Sequence, residues 1–459
     1  MKRYNAIIIG FGKAGKTLAA DLASRGWSVA MVERSSLMYG GTCPNIGCIP
    51  TKALVHMSKV TEYRRPSSFK QYTAEYENAI KAKNDLTALL RKRNYEKLYS
   101  KDTITIYTGE ASFRSPYEIL IKTSDGILQI EGEKIFINTG ASTIIPNISG
   151  IEGNPFVYTS TSIMELTKLP EHLVIVGGGY VGLEFASMFA GFGSKVTVLE
   201  AGELFIPRED RDIAEAIKEV LEKKGINIQL NAIVQTINRD ETKASVIYRN
   251  AITGETYNID ANAILLATGR RPNTEGLNLD AAGIKTNSRG AIEVDNHLRT
   301  NIDNIWAMGD VHGGLQFTYL SLDDYRIIRE QLFGNAYRNL DDRRAVAYSV
   351  FIDPPLSHVG MNEETALKAG KSIKVAKMPS AANPRSRTLG QADGLLKAVV
   401  DAETGRILGC TLFCSDSSEI INIVSLAMRA DKDYMFLRDN IFTHPSMSEA
   451  LNDLFSLIN

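Results

Sequence analysis

The stretch GGTCPNIGCIPTK, residues 40–52, holds Cys43 and Cys48 with four residues between them. That spacing is too wide for a CxxC redox motif, and no second cysteine pair lies nearby to complete a metal cage. Only four cysteines occur in 459 residues, too few for a structural disulfide framework. Any disulfide here is expected to be a working one, closing and opening to store an electron pair. The chain from Cys48 onward reads as a helix start, whose dipole lowers a thiolate pKa. Lys52 follows by four residues and shares that helix face. Near the other end, His444 and Glu449 stand in THPSMSE. An imidazole can hold and return a proton beside a thiolate, and a carboxylate can fix its tautomer. His56, one turn beyond Lys52, reads as a surface or packing histidine. Cys410 and Cys414 fall at or just after a strand and read as buried small hydrophobes, with a second thiol site as the lesser reading.

An electron store needs a donor, and the chain carries two matching elements for one. NAIIIGFGKAGKTLAADLASRGWSVAMVER and LVIVGGGYVGLEFASMFAGFGSKVTVLEA each run from an apolar strand through GxGxxG into a helix. Each then ends a second apolar run in glutamate. Gly10, Gly12, Gly15 and Glu33 correspond to Gly177, Gly179, Gly182 and Glu200 at a constant offset of 167 residues. In such fingerprints the first glycine makes the tight turn. The second lets backbone approach a pyrophosphate, the third lets helix pack on strand, and the acid receives a ribose hydroxyl. The helix N-terminus offers unpaired N–H groups to the phosphates. Two such folds imply two dinucleotides. A carboxylate at Glu200 repels a 2′-phosphate, so NADH is expected over NADPH, with Arg208 or Arg211 able to fold back and admit NADPH.

Between the repeats, Gln71–Ser100 reads as a long helix, Thr103–Tyr107 and Glu118–Thr123 as strands, and Ser124–Gly126 as a hairpin turn. Ile135–Asn138 and Ile264–Ala267 read as buried strands entering Thr-Gly turns. A further strand, Asn304–Met308, ends in Gly309-Asp310, where an acid can hold a ribityl or ribose hydroxyl. Beyond residue 340, strands are expected at Val346–Ile352, Leu395–Val400 and Ile407–Phe413. Helices are expected at Ser418–Ala430 and Met447–Leu457.

The formal net charge is −1, which steers the chain toward neither nucleic acid nor an anionic membrane. No apolar run approaches the ~18 residues of a membrane span. The first residues read as a strand rather than a signal peptide, giving the expectation of a cytoplasmic protein.

Seven motifs in order, GFGKAG, GGTCPNIGCIPTK, INTGA, GGGYVGLE, LLATGRRPN, WAMGD and THPSMSE, resemble the class I pyridine nucleotide–disulfide oxidoreductases across essentially the whole chain. The resemblance implies an α/β fold of two Rossmann-like dinucleotide-binding domains with a C-terminal α+β dimerisation domain. The expected FAD-binding domain spans 1–148 and 271–340, the NAD(P)H-binding domain 149–270, and the dimerisation domain 341–459. FAD would be held by Gly10, Gly12, Gly15, Glu33, Gly41, Thr42, Lys52, Thr139, Gly140, Gly309 and Asp310. The nicotinamide nucleotide would be held by Gly177, Gly179, Tyr180, Gly182, Glu184, Glu200 and Gly269. By the same resemblance, Cys48 lies against the flavin as the charge-transfer thiolate and Cys43 is the interchange thiol. Lys52 pairs with Glu184 near flavin N5, and Tyr180 lids the nicotinamide pocket. His444 and Glu449 act across a homodimer interface, facing Cys43 of the partner subunit.

LFIPREDRDIA, GGLQFTYLSLDDYRI and IFTHPSMSEALNDLFSL further resemble a bacterial copper(II)-reducing branch linked to reactive chlorine stress. GGLQFTYLSLDDYR departs from the Leu-Thr-Pro or Leu-Ala-His type segment of lipoamide dehydrogenase and glutathione reductase. The C-terminal cysteine pair of mercuric reductases has no counterpart in LNDLFSLIN. The expected function is transfer of electrons from NAD(P)H through flavin and Cys43–Cys48 to an acceptor, foremost Cu(II), with transient copper contact at the two thiols. The alternatives are a small-disulfide reductase and a slow thiol redox sensor or metal-binding protein.

Overall fold

Apolar runs without polar alternation form strands buried on both faces, as parallel sheets require. In the computed structural model, Ala6 to Ile9 and Leu173 to Val176 are accordingly almost wholly shielded from solvent. The structure describes residues 1–458. They form two compact units. One comprises Met1–Leu54, Asn78–Ile145 and Gly269–Asp342; the other comprises Val55–Glu77, Pro146–Thr268 and the chain from Arg343 on.

In the first unit the strand Lys2–Ile9 lies between parallel neighbours, Val29–Glu33 and the long strand Gly126–Ile137. Ile104–Thr108 extends the sheet beyond Val29–Glu33. Gly126–Ile137 uses its two edges differently. One edge runs parallel to Lys2–Ile9. The other pairs antiparallel with Glu118–Thr123, then parallel with Ile305–Ala307. The separate strand expected from Ile135 is thus the end of one twelve-residue strand. Gly132 interrupts the apolar pattern without making a turn. A Cβ there would come within 2.7 Å of Ile7 Cγ1, so the glycine serves close strand packing.

The second unit holds a five-stranded parallel sheet centred on His172–Val176, flanked by Lys195–Leu199 and Ala263–Leu266. An antiparallel three-stranded sheet, Ala232–Arg239, Ala244–Asn250 and Thr256–Ala261, accompanies it. A separate antiparallel five-stranded sheet is built from residues 348–413, with Ile407–Phe413 between Leu356–Gly360 and Leu395–Asp401. The segments expected for nicotinamide binding and dimerisation therefore keep separate sheets inside one unit.

Val55–Glu77 also falls in this unit, although the sequence reading placed it with the flavin fold. The physical reason lies in Tyr76, which packs on Phe189 and Phe192 and donates its hydroxyl to the Leu166 carbonyl at 2.8 Å. The long helix runs Phe69–Tyr99, close to its expected span. The strand expected over Val346–Ile352 is shortened to Tyr348–Val350, ahead of Pro354 and Pro355, which have no N–H to donate. The last helix is Ala450–Ser456, starting three residues late because Ser446 and Glu449 are occupied in a local hydrogen-bonded turn.

Candidate active site

Cys43 lies within the five-residue helix Thr42–Ile46, and Cys48 is the first residue of the helix Cys48–Arg64. Gly47 separates the two helices. Both thiols are free, with Cys43 half-buried and Cys48 exposed. Sγ of Cys48 also lies 3.4 Å from Oγ1 of Thr318.

The two thiols are electrostatically unequal. A hydrogen bond from Cys43 is the main cause that brings the Cys48 pKa down to about 6; partial loss of water around the sulfur opposes it, even though the residue is exposed, while Thr318 and the positive charge of Lys52 assist. The same hydrogen bond, with burial, pushes the Cys43 thiol up. Charge therefore rests on Cys48, and Cys43 keeps its proton as the donor. Lys16, absent from the sequence reading, also belongs here. Its ammonium donates to the Gly40 carbonyl at 3.0 Å and to Asn94 Oδ1 at 2.7 Å. Burial lowers its pKa to about 8, while the nearby Cys43 works in the opposite direction.

The first glycine loop opens the twelve-residue helix Lys13–Ser24. Gly10 has φ of +100°, and a Cβ there would lie 2.3 Å from the Asn138 carbonyl oxygen. A Cβ on Gly15 would meet the Gly10 carbonyl at 2.8 Å, and one on Gly41 would strike the Gly12 Cα at 2.6 Å. Only glycine permits these approaches. Glu33 ends the second strand and accepts from the Phe11 N–H at 3.0 Å and the Ser35 N–H at 3.3 Å. Burial pushes its carboxyl pKa up. Asn138, inside the INTGA motif, is a further residue of this site. It accepts from the Gly15 N–H at 2.9 Å and donates to the Met308 carbonyl at 2.7 Å, tying the loop to the strand end near Gly309.

Thr139 donates to the Asn273 carbonyl at 2.7 Å, and the Gly140 carbonyl accepts from the Asn273 N–H. Thr42 Oγ1 lies 3.9 Å from where a Gly140 Cβ would be. Asp310 follows Gly309, its carboxyl pushed up first by burial. Asp324, within GGLQFTYLSLDDYRI but given no role there, is buried and accepts from the Gly309 N–H at 2.6 Å. This loop, helix start and pair of carboxylates fit a flavin dinucleotide: the backbone would hold a pyrophosphate, and Glu33 and Asp310 would take sugar hydroxyls.

The second loop repeats the first. Gly177 has φ of +108°, and a Cβ on Gly182 would lie 2.2 Å from the Gly177 carbonyl oxygen. At Gly179 a Cβ would meet no heavy atom within 4 Å, leaving the surface that a pyrophosphate needs. Glu200 accepts from the Gly178 and Gly202 N–H groups, each at 2.7 Å. Gly269 also takes a positive φ, +104°. Tyr180 begins the helix Tyr180–Gly191, and its hydroxyl reaches Glu209. Glu184, buried on the same helix, accepts from the Phe351 N–H at 2.8 Å. Lys52 belongs to the first unit and Glu184 to the second.

His444 is 70% exposed, and its Nδ1 lies 2.8 Å from Glu449 Oε2. Glu449 is itself anchored by the Ser446 N–H. That contact holds the ring by one of its two nitrogens. Cys410 and Cys414 are buried in the C-terminal core, and burial pushes Cys410 well above the usual thiol range and Cys414 up to about 12. They are small core hydrophobes. His56 is exposed. Among the described residues, no group of three or more His, Cys, Asp or Glu side chains is placed to hold a metal ion, and no helix is long and apolar enough to cross a membrane.

The chain is similar to known proteins along its whole length. Residues 4–324 match the model of the pyridine nucleotide-disulphide oxidoreductase family, and residues 346–455 match the dimerisation domain of that family. The chain is 53% identical over 458 residues, all of both chains, to a probable pyridine nucleotide-disulfide oxidoreductase, RclA, of Escherichia coli (strain K12). It is 33% identical to a dihydrolipoyl dehydrogenase of Geobacillus stearothermophilus, covering 96% of this chain and 93% of that one. The fold superposes on the Cu(II) complex of the HOCl-induced flavoprotein disulfide reductase RclA from Escherichia coli with a TM-score of 0.94. There the identity is 52%, and all of both chains is covered. With two fingerprint loops, a polarised thiol pair and these matches in hand, the chain belongs to the pyridine nucleotide-disulfide oxidoreductases, the FAD-dependent enzymes that oxidise NAD(P)H.

Proposed function

We propose that this enzyme passes electrons from NADH through the Cys43–Cys48 pair to Cu(II), releasing Cu(I). The observation that carries the reading is the unequal pair, a Cys48 thiol with pKa about 6 beside a protonated Cys43. Similarity over the full chain to RclA, a protein solved as a Cu(II) complex, supports copper as the acceptor. Bound flavin supplies the conversion of a nicotinamide hydride into an electron pair for the thiols. The reduced pair, one thiol and one thiolate, gives one electron to each of two Cu(II) ions. An S–S bond forms, two Cu(I) ions leave and one proton is released. Soft sulfur favours Cu(I), which suits thiols as the point of delivery.

In this reading Cys43 meets the acceptor. His444, oriented by Glu449, takes the proton in a dimer where it faces Cys43 of the partner subunit. Glu200 selects NADH. The three-domain division, with flavin, nicotinamide and dimerisation parts, belongs to the same proposal.

A second reading, with a small disulfide as the acceptor, is favoured by the 33% identity with a dihydrolipoyl dehydrogenase. Anaerobic turnover with NADH, using Cu(II) plus a chromogenic Cu(I) chelator, lipoamide and glutathione disulfide, separates the two. Fast Cu(I) formation that disappears in Cys43→Ser supports copper. Turnover on a disulfide with none on copper overturns it. Reversible disulfide closure by oxidants without turnover on any acceptor would instead make the pair a sensor.

A further inference from the structure

Two half-buried cations stand on the loop that carries Cys43, and both donate to neutral groups only. Lys16 lies one turn into the helix Lys13–Ser24, its ammonium on the Gly40 carbonyl and on Asn94 Oδ1. Arg91, on the long helix Phe69–Tyr99, donates through Nε to Asn45 Oδ1 at 2.9 Å. Asn45 in turn donates to the carbonyls of Tyr39 and Gly41 at 3.0 and 2.8 Å. Gly40 and Asn45 stand on either side of Cys43 in the chain, so one cation holds the loop ahead of the thiol and the other holds it behind.

No carboxylate among the described residues pairs with Lys16 or Arg91. Glu96, the acid of the long helix nearest Asn94 in sequence, lies 3.7 Å from Lys92 instead. The charges that act on Lys16 are those of Lys13 and Lys97, which oppose its proton, and of Cys43, which favours it. Burial is the first cause of its lowered pKa of about 8, so most of it is still charged at neutral pH. A cation that has lost part of its water and meets only neutral dipoles is incompletely compensated. An arriving anion completes such a site, and an arriving cation is repelled from it. The formal net charge of −1 supplies little long-range field, so this discrimination is local to the loop.

We propose that Lys16 and Arg91 select the charge of the electron acceptor, so that the thiol site takes acceptors carrying net negative charge. The proposal rests on the reading of Cys43 as the thiol that meets the acceptor. If that acceptor is copper, it arrives as an anionic carboxylate chelate of Cu(II), not as the aquated dication. If it is a small disulfide, it bears carboxylates. Lys16 and Arg91 determine specificity as the acceptor approaches, and the electron pair still comes from Cys43 and Cys48.

The test mixes FAD-loaded enzyme, reduced by one equivalent of NADH, rapidly with three small aliphatic disulfides. Dithiodipropionate is a dianion, hydroxyethyl disulfide is neutral and cystamine is a dication. Each takes two electrons into its S–S bond. Two thiols leave, with the proton of Cys43 and one from solvent, and the Cys43–Cys48 bond closes. Each rate is divided by that of the same disulfide with mercaptoethanol, which removes the leaving-group effect. On that scale the dianion should react fastest and the dication slowest, and added salt should shrink their ratio. Lys16→Gln and Arg91→Gln should each lower the ratio about tenfold, and Lys16→Arg should restore most of it. Cu(II) nitrilotriacetate, also an anion, should lose rate in Lys16→Gln relative to aquated Cu(II), read with a chromogenic Cu(I) chelator. Equal, salt-independent rates for dianion and dication in the parent enzyme overturn the proposal without any variant. Loss of bound flavin in Lys16→Gln with an unchanged ratio assigns the ammonium to the flavin phosphates and also overturns it. The expected ranking of disulfides, with no Cu(I) from either form of copper, upholds the anion site and removes copper as the acceptor.

Discussion

The hydroxyl of Thr318 lies 3.4 Å from Sγ of Cys48, although 270 positions separate them in the chain. Thr318 begins the helix Thr318–Phe333, within the run that departs from the lipoamide and glutathione enzymes. It helps hold the Cys48 thiol down, after Cys43 and together with Lys52. A lowered pKa means that the thiolate is present above about pH 6 and is lost as pH falls through that value. Alkylation of Cys48 in the reduced protein, followed by peptide mapping, should therefore show a midpoint near pH 6. Cys43→Ala should move the midpoint up toward the ordinary thiol range, and Thr318→Val should move it up by less. A parent midpoint already in the ordinary range would contradict the polarised pair.

Asn138 spans the first glycine loop and the end of the Ile305–Ala307 strand. Asn138→Leu leaves the Gly15 N–H and the Met308 carbonyl unpaired, at about 1–3 kcal/mol for each buried group. The variant should melt several degrees lower and purify with less flavin, read from the ratio of flavin to protein absorbance. Full flavin occupancy with unchanged melting would assign the loop's order to other contacts.

Glu200 is tied to two backbone N–H groups, so its charge is fixed at the end of its strand. Glu200→Gln removes the charge at nearly constant size. The ratio of kcat/KM for NADPH to that for NADH should rise about tenfold, corresponding to ~1.4 kcal/mol of relieved repulsion. An unchanged ratio would mean that nucleotide choice is made elsewhere.

His444 is exposed yet oriented, its Nδ1 held by Glu449. General acid–base groups contribute on the order of a hundredfold or more. His444→Ala should slow acceptor reduction by about that factor and leave flavin reduction by NADH nearly intact in rapid mixing. Equal loss in both half-reactions would show that the ring has a different task.

Much of this arrangement was legible in the chain because it is local. The glycines sit where a Cβ would collide with backbone a few residues away, as Gly15 does with Gly10, so their spacing alone marks the turn. Cys43 and Cys48 lie within one short stretch, and the helix start at Cys48 follows from local sequence. Of the long strand Gly126–Ile137, the sequence reading reaches only the end from Ile135, and Gly132 lies within the rest. Only its neighbour Ile7 reveals why a glycine is needed within a strand.

The sequence by itself determined the two nucleotide folds, the thiol pair and the His444–Glu449 motif, all set by short-range spacing and strand–turn–helix chemistry. Tertiary structure supplied most of what holds the charge on Cys48, the residue to which its helix start already pointed. That depends on hydrogen bonds and on a hydroxyl brought in from Thr318. It likewise decided that Asn138 and Asp324 matter. Each is a buried polar side chain whose partners come from distant segments, and burial makes those partners obligatory. No spacing rule can show such a group, because the water it must lose is removed only when the chain folds.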